Sequence, residues 1–242
     1  ILKDPLTGNW HLYLSVDIDS EFVWGGLHWQ TLLLTSEDLT GNWKSKGLVL
    51  ENDRSYDAKH ARDSTIDIID GAWICLYKAR DEDRYLRPAL ATSSDGIRWE
   101  KQGTFTVDGE EKYIFLSGTI FAGTDNPIFI GLERVEPDPF GYENMNYEDK
   151  YKVGHGGKPP RNFVAMKMDM ENMNLETIFR TTWEPLSSYE YKEQPLLGYS
   201  SLTYDPLQNR ILIYVEAIDP EYTEQLGLND TVERLLVYES KL

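Results

Sequence analysis

The sequence has very little cysteine and histidine, and this scarcity argues against two kinds of chemistry. Its 242 residues include one cysteine, Cys75, which cannot form an intrachain disulfide and whose apolar surroundings predict burial. The 4 histidines are scattered along the chain, and neither CxxC nor HExxH spacing is present. We therefore expect no metal site and no cofactor.

Positive charge and long apolar runs are also scarce. Lys and Arg total 24 against 41 Asp and Glu, which gives a net charge of −17. A nucleic-acid partner needs a basic face, so this balance argues against nucleic acid. No apolar run approaches the roughly 18 residues of a transmembrane helix, so no membrane insertion is expected. A soluble monomer, cytoplasmic or secreted, is the expectation.

Four segments share one strand pattern, and each follows a turn rich in Asp, Asn, Pro or Gly. They are Asn9–Asp17, Ala72–Arg80, Pro127–Val135 and Arg210–Ile218. Equivalent units recur every ~50–80 residues, which is typical of a propeller with loop insertions. The sequence therefore predicts an all-β chain that forms a single β-propeller domain over residues 1–242. Five blades are expected, with six as the alternative. Four blades are legible, and a further segment is expected before residue 1.

Each blade is predicted as up to four antiparallel strands. The first blade lacks an innermost strand in this prediction, and the last lacks an outer one. Blade by blade, the predicted strands are Trp10–Val16, Trp29–Thr35 and Trp43–Leu50; Ser64–Ile69, Trp73–Ala79, Leu86–Thr92 and Trp99–Val107; Gly118–Ala122, Ile128–Arg134, Asn162–Met168 and Leu175–Thr181; Ser200–Tyr204, Ile211–Ala217 and Val232–Glu239.

Long connections between the second and third strands of each blade indicate the functional edge. They run from Asp17 to Leu27, Arg80 to Tyr85, Val135 to Arg161 and Ile218 to Thr231. In an antiparallel blade these connections lie at the same edge as the start of the innermost strand, and functional residues concentrate in such loops. The substrate-binding residues predicted at this edge are Asp17, Arg62, Lys78, Arg80 and Tyr199.

Three carboxylates at this edge are candidates for acid–base catalysis. Aligning the second strands places Ser15, Lys78, Glu133 and Glu216 at one equivalent position, while Asp63 lies at the start of an innermost strand. Cleavage of a glycosidic bond requires two carboxyl groups, one protonated and one ionised. Asp63, Glu133 and Glu216 are therefore the predicted catalytic residues, and a structural ion pair is the alternative role for each.

Three runs of the second blade carry a resemblance to a known group of enzymes. They are Ala61–Ile66, Asp70–Tyr77 and Ala91–Trp99. Together they resemble a blade of the arabinanase/levansucrase/invertase superfamily of five-bladed propeller glycosidases. The resemblance implies an Asp base or nucleophile, an Asp that orients substrate, and a Glu acid.

The dipeptide Arg62-Asp63 is similar to the Arg-Asp-Pro motif of that superfamily, with Ser64 in place of the proline. The match implies that Asp63 is the orienting carboxylate. It also implies that the first-blade Asp precedes residue 1 and that Leu116–Thr119 stands where the Glu is expected.

A second resemblance lies in the fourth blade. Gly198–Leu202 followed by Ile213–Glu216 is similar to a sialidase segment in which a Glu activates a Tyr nucleophile. Glu216 would be that Glu, and the arginines that clamp a substrate carboxylate would come from Arg62, Arg80 and Arg134 or Arg161. The sequence favours a glycoside hydrolase whose partner is an oligosaccharide or glycoside. A sialidase-like hydrolase, or a non-catalytic propeller that binds a glycan or a protein, is the alternative.

Overall fold

The computed structural model describes ten stretches of the chain, and these form strands and turns. The described residues are 1–18, 28–82, 86–112, 114–115, 120–121, 127–134, 161–180, 197–205, 207–218 and 233–241. Their one helical element is a 3-10 turn at Ser55–Asp57. The predicted all-β class is confirmed. Within these stretches no helix has the length and apolar character needed to cross a membrane.

The chain divides into two compact units. One comprises Ile1–Leu116 with Met168–Leu175, and the other comprises Ser117–Lys167 with Glu176–Leu242. The first unit contains the first two predicted blades.

The first blade has four strands. They are β1 (Leu2–Lys3), β2 (Trp10–Asp17), β3 (Trp29–Ser36) and β4 (Lys44–Leu50). The sequence predicted no strand before β2, and this was wrong, because β1 pairs antiparallel with β2 through Leu2 and His11. Two residues are too short a run to show strand periodicity, so only the pairing reveals β1.

The second blade also has four strands. Its strands are β5 (His60–Ile69), β6 (Ala72–Arg80), β7 (Leu86–Ser93) and β8 (Glu100–Thr104). The predicted outer strand is interrupted at Phe105, and its last residues form β9 (Thr106–Val107), which pairs parallel with Asn174–Leu175. The two blades are joined where β3 meets β5 in parallel at Trp29 and His60.

Side chains along β6 point alternately to the two faces of the sheet, and one of these faces packs into the core. Cys75, Tyr77 and Ala79 are 0% exposed and point to one face of the sheet. A hydrophobic cluster forms on that face, and its buried members are Leu50, Ala61, Cys75, Tyr77, Ala79, Ala89 and Ala91. The predicted burial of Cys75 is confirmed. Small alanines on neighbouring strands leave room for the Tyr77 ring.

The remaining strands include those predicted for the third and fourth blades, together with a short strand at Ile114–Phe115 that the sequence did not predict. The third-blade strands are β10 (Ile114–Phe115), β11 (Ile120–Phe121), β12 (Ile128–Arg134), β13 (Arg161–Asp169) and β14 (Asn174–Arg180). The fourth blade consists of β15 (Leu197–Asp205), β16 (Arg210–Ile218) and β17 (Glu233–Lys241), in that antiparallel order. Most of the predicted long connections, residues 19–27, 83–85, 135–160 and 219–232, lie outside the described residues.

Candidate functional site

One face of the β5–β6 ladder carries basic side chains in two directly opposed pairs. His60 is opposite Arg80, and Arg62 is opposite Lys78. Residues opposite one another share a face of the sheet, while the intervening Ala61 points into the core. The register therefore brings together three of the predicted binding residues, Arg62, Lys78 and Arg80, at the start of β5 and the end of β6.

Asp63 interrupts this ladder. The pairing of β5 with β6 shifts between Arg62 and Thr65, so Asp63 and Ser64 form a β-bulge. The backbone of Asp63 has φ 52, a left-handed conformation that is uncommon for a residue with a side chain. Such strain persists only where surrounding contacts hold it, and it clusters at functional sites.

The bulge directs the Asp63 carboxylate onto a lysine from β6 and a serine from β2. Lys78 Nζ donates to Asp63 Oδ2, and Ser15 Oγ donates to Oδ1 at 3.1 Å. In return, the Asp63 amide donates to Ser15 Oγ at 2.9 Å. Lys78 is 0% exposed, and this carboxylate compensates the charge of its buried ammonium. The predicted equivalence of Ser15 and Lys78 thus has a geometric meaning, since both residues reach Asp63.

The ionisation of Asp63 follows from these contacts. Burial raises its pKa, but the positive charges of Lys78 and Arg62 and the hydrogen bonds from Lys78 and Ser15 outweigh burial, so the pKa lies below the ordinary aspartate value. Arg62 Nε lies 3.8 Å from Asp63 Oδ2. Asp63 is therefore a carboxylate at neutral pH, and it suits the role of an acceptor rather than that of a proton donor.

An aromatic residue that the sequence analysis did not single out lies beside Arg62. The Arg62 guanidinium carbon is 4.7 Å from the ring centre of Trp29, at the start of β3. Among the described residues, Arg62 Nε and Trp29 Nε1 are buried donors without a hydrogen-bond partner. Trp43 and Trp99 also stand near strand starts, so the sequence has no signal that separates Trp29 from tryptophans that only pack.

The remaining predicted binding residues of the first unit lie at the same edge. Arg80 Nη1 lies 3.2 Å from Nε2 of the buried His60. Asp17 is opposite Trp29 in the β2–β3 register. The strand registers thus place Asp17 opposite Trp29, and Arg62 and Arg80 opposite Lys78 and His60, while the binding roles of these residues stay predictions.

The Glu133 carboxylate is held by an arginine, unlike the Asp63 carboxylate, which binds a lysine and a serine. It lies in β12 and is 7% exposed, and both of its carboxylate oxygens accept hydrogen bonds from Arg180. Arg180 Nε is 2.5 Å from Oε2, and Nη2 is 3.1 Å from Oε1. This two-point contact is the arginine–carboxylate fork, which gives a rigid ion pair. It corresponds to the structural alternative considered for Glu133.

Comparison with solved structures shows which known fold this chain has. A GH32 β-fructofuranosidase from Bombyx mori in complex with sucrose superposes with a TM-score of 0.60 at 17% identity, over 97% of this chain and 46% of that chain. An endo-arabinase from Bacteroides thetaiotaomicron has a TM-score of 0.60 at 9% identity, over 95% of this chain and 70% of that one. The fold is that of the propeller glycosidases.

A GH43 enzyme from Xanthomonas citri complexed with xylotriose matches similarly, with a TM-score of 0.59 at 13% identity over 98% of this chain and 67% of that chain. The chain spans about half the length of the Bombyx mori enzyme. No family model matches the sequence, and no curated protein sequence does. The predicted resemblance to five-bladed propeller glycosidases is confirmed at the level of fold, and the number of blades stays a prediction.

For the candidate site residues of the fourth blade, the structure describes the backbone only. Glu216 lies in β16 opposite Leu235, and Tyr199 lies in the irregular stretch of β15 between Leu197 and Ser200. Their side chains are outside the described part of the chain, as are those of Arg134 and Arg161, which face each other across β12 and β13. The roles predicted for these four residues stay predictions.

A metal centre has no support in the described stretches. These contain no group of three or more His, Cys, Asp or Glu side chains placed to hold an ion. The chemistry available at the Asp63 site is hydrogen bonding and charge: one carboxylate acceptor, two buried N–H donors and a tryptophan ring.

Proposed function

We propose that this chain is a carbohydrate-active propeller that binds a glycoside at the Asp63 site and hydrolyses its glycosidic bond. The observation that carries the proposal is an ionised Asp63 held beside Arg62 and Trp29. A sugar hydroxyl both donates and accepts hydrogen bonds, so it pairs with a carboxylate acceptor and an N–H donor together. Aromatic rings with a polar tip complement the apolar face of a sugar ring.

The chemistry assigns Asp63 to orientation rather than to proton donation. Hydrolysis needs one carboxylic acid that protonates the leaving oxygen and one ionised carboxylate. Asp63 is ionised and already fixed by Lys78 and Ser15, so it would hold the sugar through its hydroxyl groups. Glu216 is our candidate for the acid, and the Arg180 contacts to both oxygens of Glu133 favour a structural ion pair at that residue.

A second candidate function has one observation in its favour. The two candidate carboxylates with described side chains, Asp63 and Glu133, are both engaged by cations. That arrangement also fits a propeller that binds a glycan without cleaving it. Sucrose and xylotriose are bound by two of the similar enzymes, so short neutral oligosaccharides are the first ligands to test.

The test is a panel of aryl-glycosides and neutral oligosaccharides, including sucrose, xylotriose and arabino-oligosaccharides, with turnover and calorimetric binding both measured. We expect binding that is lost in Asp63→Asn, and turnover that is lost in Glu216→Gln while binding remains. Asp67→Asn, a change on the same strand β5, is the matched control and should bind as the wild type does. Binding of a ligand by the wild type with no turnover of any panel member would select the non-catalytic candidate, and no binding at all by the wild type would refute the proposal.

A further inference from the structure

Two hydroxyl residues of the first blade reach across to the bulge that contains Asp63. Ser15 of β2 and Thr31 of β3 are directly opposite each other in the β2–β3 register, so they share a face of that sheet. Ser15 accepts from the Asp63 amide and donates to its carboxylate. Thr31 Oγ1 donates to the carbonyl oxygen of Ala61 at 3.0 Å. Ser15 and Thr31 therefore hold the backbone of the bulge at the residues before and after Arg62.

Ser64 completes this contact. Its Oγ lies 2.9 Å from Thr31 Oγ1. A hydroxyl has one proton, and that of Thr31 is given to Ala61, so Ser64 must donate to Thr31. The hydrogen bonds then run in one direction, from Ser64 through Thr31 to the carbonyl oxygen of Ala61.

We propose that Ser15, Thr31 and Ser64 are positioning residues that hold Asp63 in its left-handed conformation, with the carboxylate on Lys78. The two residues that the β5–β6 ladder leaves unpaired, Asp63 and Ser64, are those that these hydroxyls bind. Without the hydroxyls, Asp63 would relax towards extended backbone, because the left-handed region is unfavourable for a residue with a side chain. The importance of this geometry for sugar binding rests on the proposed function.

The identity of residue 64 follows from the same geometry. A proline restricts the preceding residue to extended backbone. Asp63 has φ 52, so a proline at position 64 would oppose the observed conformation, whereas serine permits it and adds a hydroxyl. This chain therefore holds its aspartate through side-chain hydrogen bonds where the similar motif has a proline ring.

The experiment compares Thr31→Val, which keeps the shape of the side chain and removes the hydroxyl, with Thr31→Ser, which keeps the hydroxyl. The first readout is an NMR titration of the Asp63 carboxyl in the ligand-free protein, where Lys78, Arg62 and Ser15 are the groups that face it. We expect the pKa of Asp63 to rise towards the ordinary value in Thr31→Val and to stay low in Thr31→Ser. A purely structural role for Thr31 would lower stability and leave this titration unchanged.

The second readout is sugar binding, which should weaken about tenfold in Thr31→Val and recover in Thr31→Ser, as expected for loss of one buried hydrogen bond. Thr35→Val is the control, since Thr35 is a buried threonine further along β3.

An Asp63 titration in Thr31→Val identical to that of the wild type would overturn the inference. If Thr31→Val does not fold, Ser64→Ala is titrated in its place: a raised pKa of Asp63 supports the inference and an unchanged one overturns it. A wild-type protein that binds no sugar would refute the proposed function, while the titration would still decide the positioning role.

Discussion

Lys78 and Asp63 depend on each other in a way that is visible at the level of single residues. The Lys78 side chain is 0% exposed and that of Asp63 is 19% exposed, so the ammonium is the more deeply buried partner. Removing one member of a buried pair leaves an uncompensated charge, which costs more than removing both. The sequence predicted Asp63 and Lys78 as separate site residues. It could not predict their contact, because the bulge that directs Asp63 onto Lys78 is held by Ser15 and Thr31, which are distant in sequence.

We predict that Asp63→Ala lowers the free energy of unfolding by about 3 kcal/mol, because it removes the carboxylate that the buried Lys78 ammonium binds. Lys78→Met removes the ammonium charge, so the double variant should regain part of the loss. Urea unfolding of the wild type, both single variants and the double variant gives the coupling energy. Additive losses in the double variant would show that the two side chains do not form a pair in solution.

The pH dependence of stability should report Asp63 directly. Its folded pKa lies below the unfolded value of about 3.9, so its contribution is fully present above that value and is lost as the pH falls through the folded pKa. The difference in unfolding free energy between the wild type and Asp63→Asn should therefore be large at pH 6 and shrink below about pH 4.

Asp67 is the control for this measurement, because burial raises its pKa and outweighs the hydrogen bond from the Ile68 amide, which lowers it. Ionised Asp67 opposes folding, so Asp67→Asn should become more stable relative to the wild type as the pH rises above about 4. A pH profile for Asp63→Asn parallel to that of the wild type would contradict the assigned ionisation of Asp63.

At the scale of an element, the turn between β7 and β8 shows what sequence patterns can predict. Asp95 Oδ1 accepts from the amides of Ile97 and Arg98, each at 2.9 Å, and Ser93 Oγ accepts from the amide of Gly96 at 3.0 Å. These bonds connect neighbours in the chain, so Ser, Asp and Gly at these spacings are sufficient to predict the turn. Strand alternation is equally local, and the strands of the second blade were therefore predictable to within a few residues.

The features that the sequence missed depend on partners elsewhere in the chain. Strand β1 is recognisable only by its pairing with β2. The bulge at Asp63 has no local turn signature, because hydroxyls from Ser15 and Thr31 hold it. Trp29 becomes a site residue only because Arg62 packs over it.

Substitution of Gly96 by alanine tests how tightly the β7–β8 turn is packed. A methyl group at this position would lie 2.8 Å from Trp73 Cε3, and the backbone has φ +67. Gly96→Ala should lower the unfolding free energy by about 2–4 kcal/mol, through left-handed strain and overpacking together. Gly109→Ala is the matched control, since Gly109 has φ +82 and open space around it. It should cost only about 1 kcal/mol. Equal losses of melting temperature in the two variants would refute the predicted clash.

For the whole molecule, the net charge is strongly negative, whereas the edge around Asp63 carries several positive side chains. The chain has a net charge of −17, yet the edge that contains Asp63 carries Arg62, Lys78 and Arg80. The overall charge acts on solubility and long-range attraction, while these local cations determine the ionisation of Asp63. Composition gives only the overall charge and could not reveal a local cluster of cations. The fold was predictable because the blade pattern repeats, whereas the site depends on residues 15, 31 and 63 meeting across two blades.

The central claim is that sugar binds at the edge where Asp63, Arg62 and Trp29 meet. Backbone amide and tryptophan indole NMR shifts, followed during titration with the tightest ligand of the oligosaccharide panel, test this directly. The claim predicts that the largest changes fall on the Trp29 indole and the amides of Arg62 and Asp63, and that they vanish in Asp63→Asn. Changes centred instead on the β3–β4 turn at Ser36–Gly41, or changes that persist undiminished in Asp63→Asn, would contradict it.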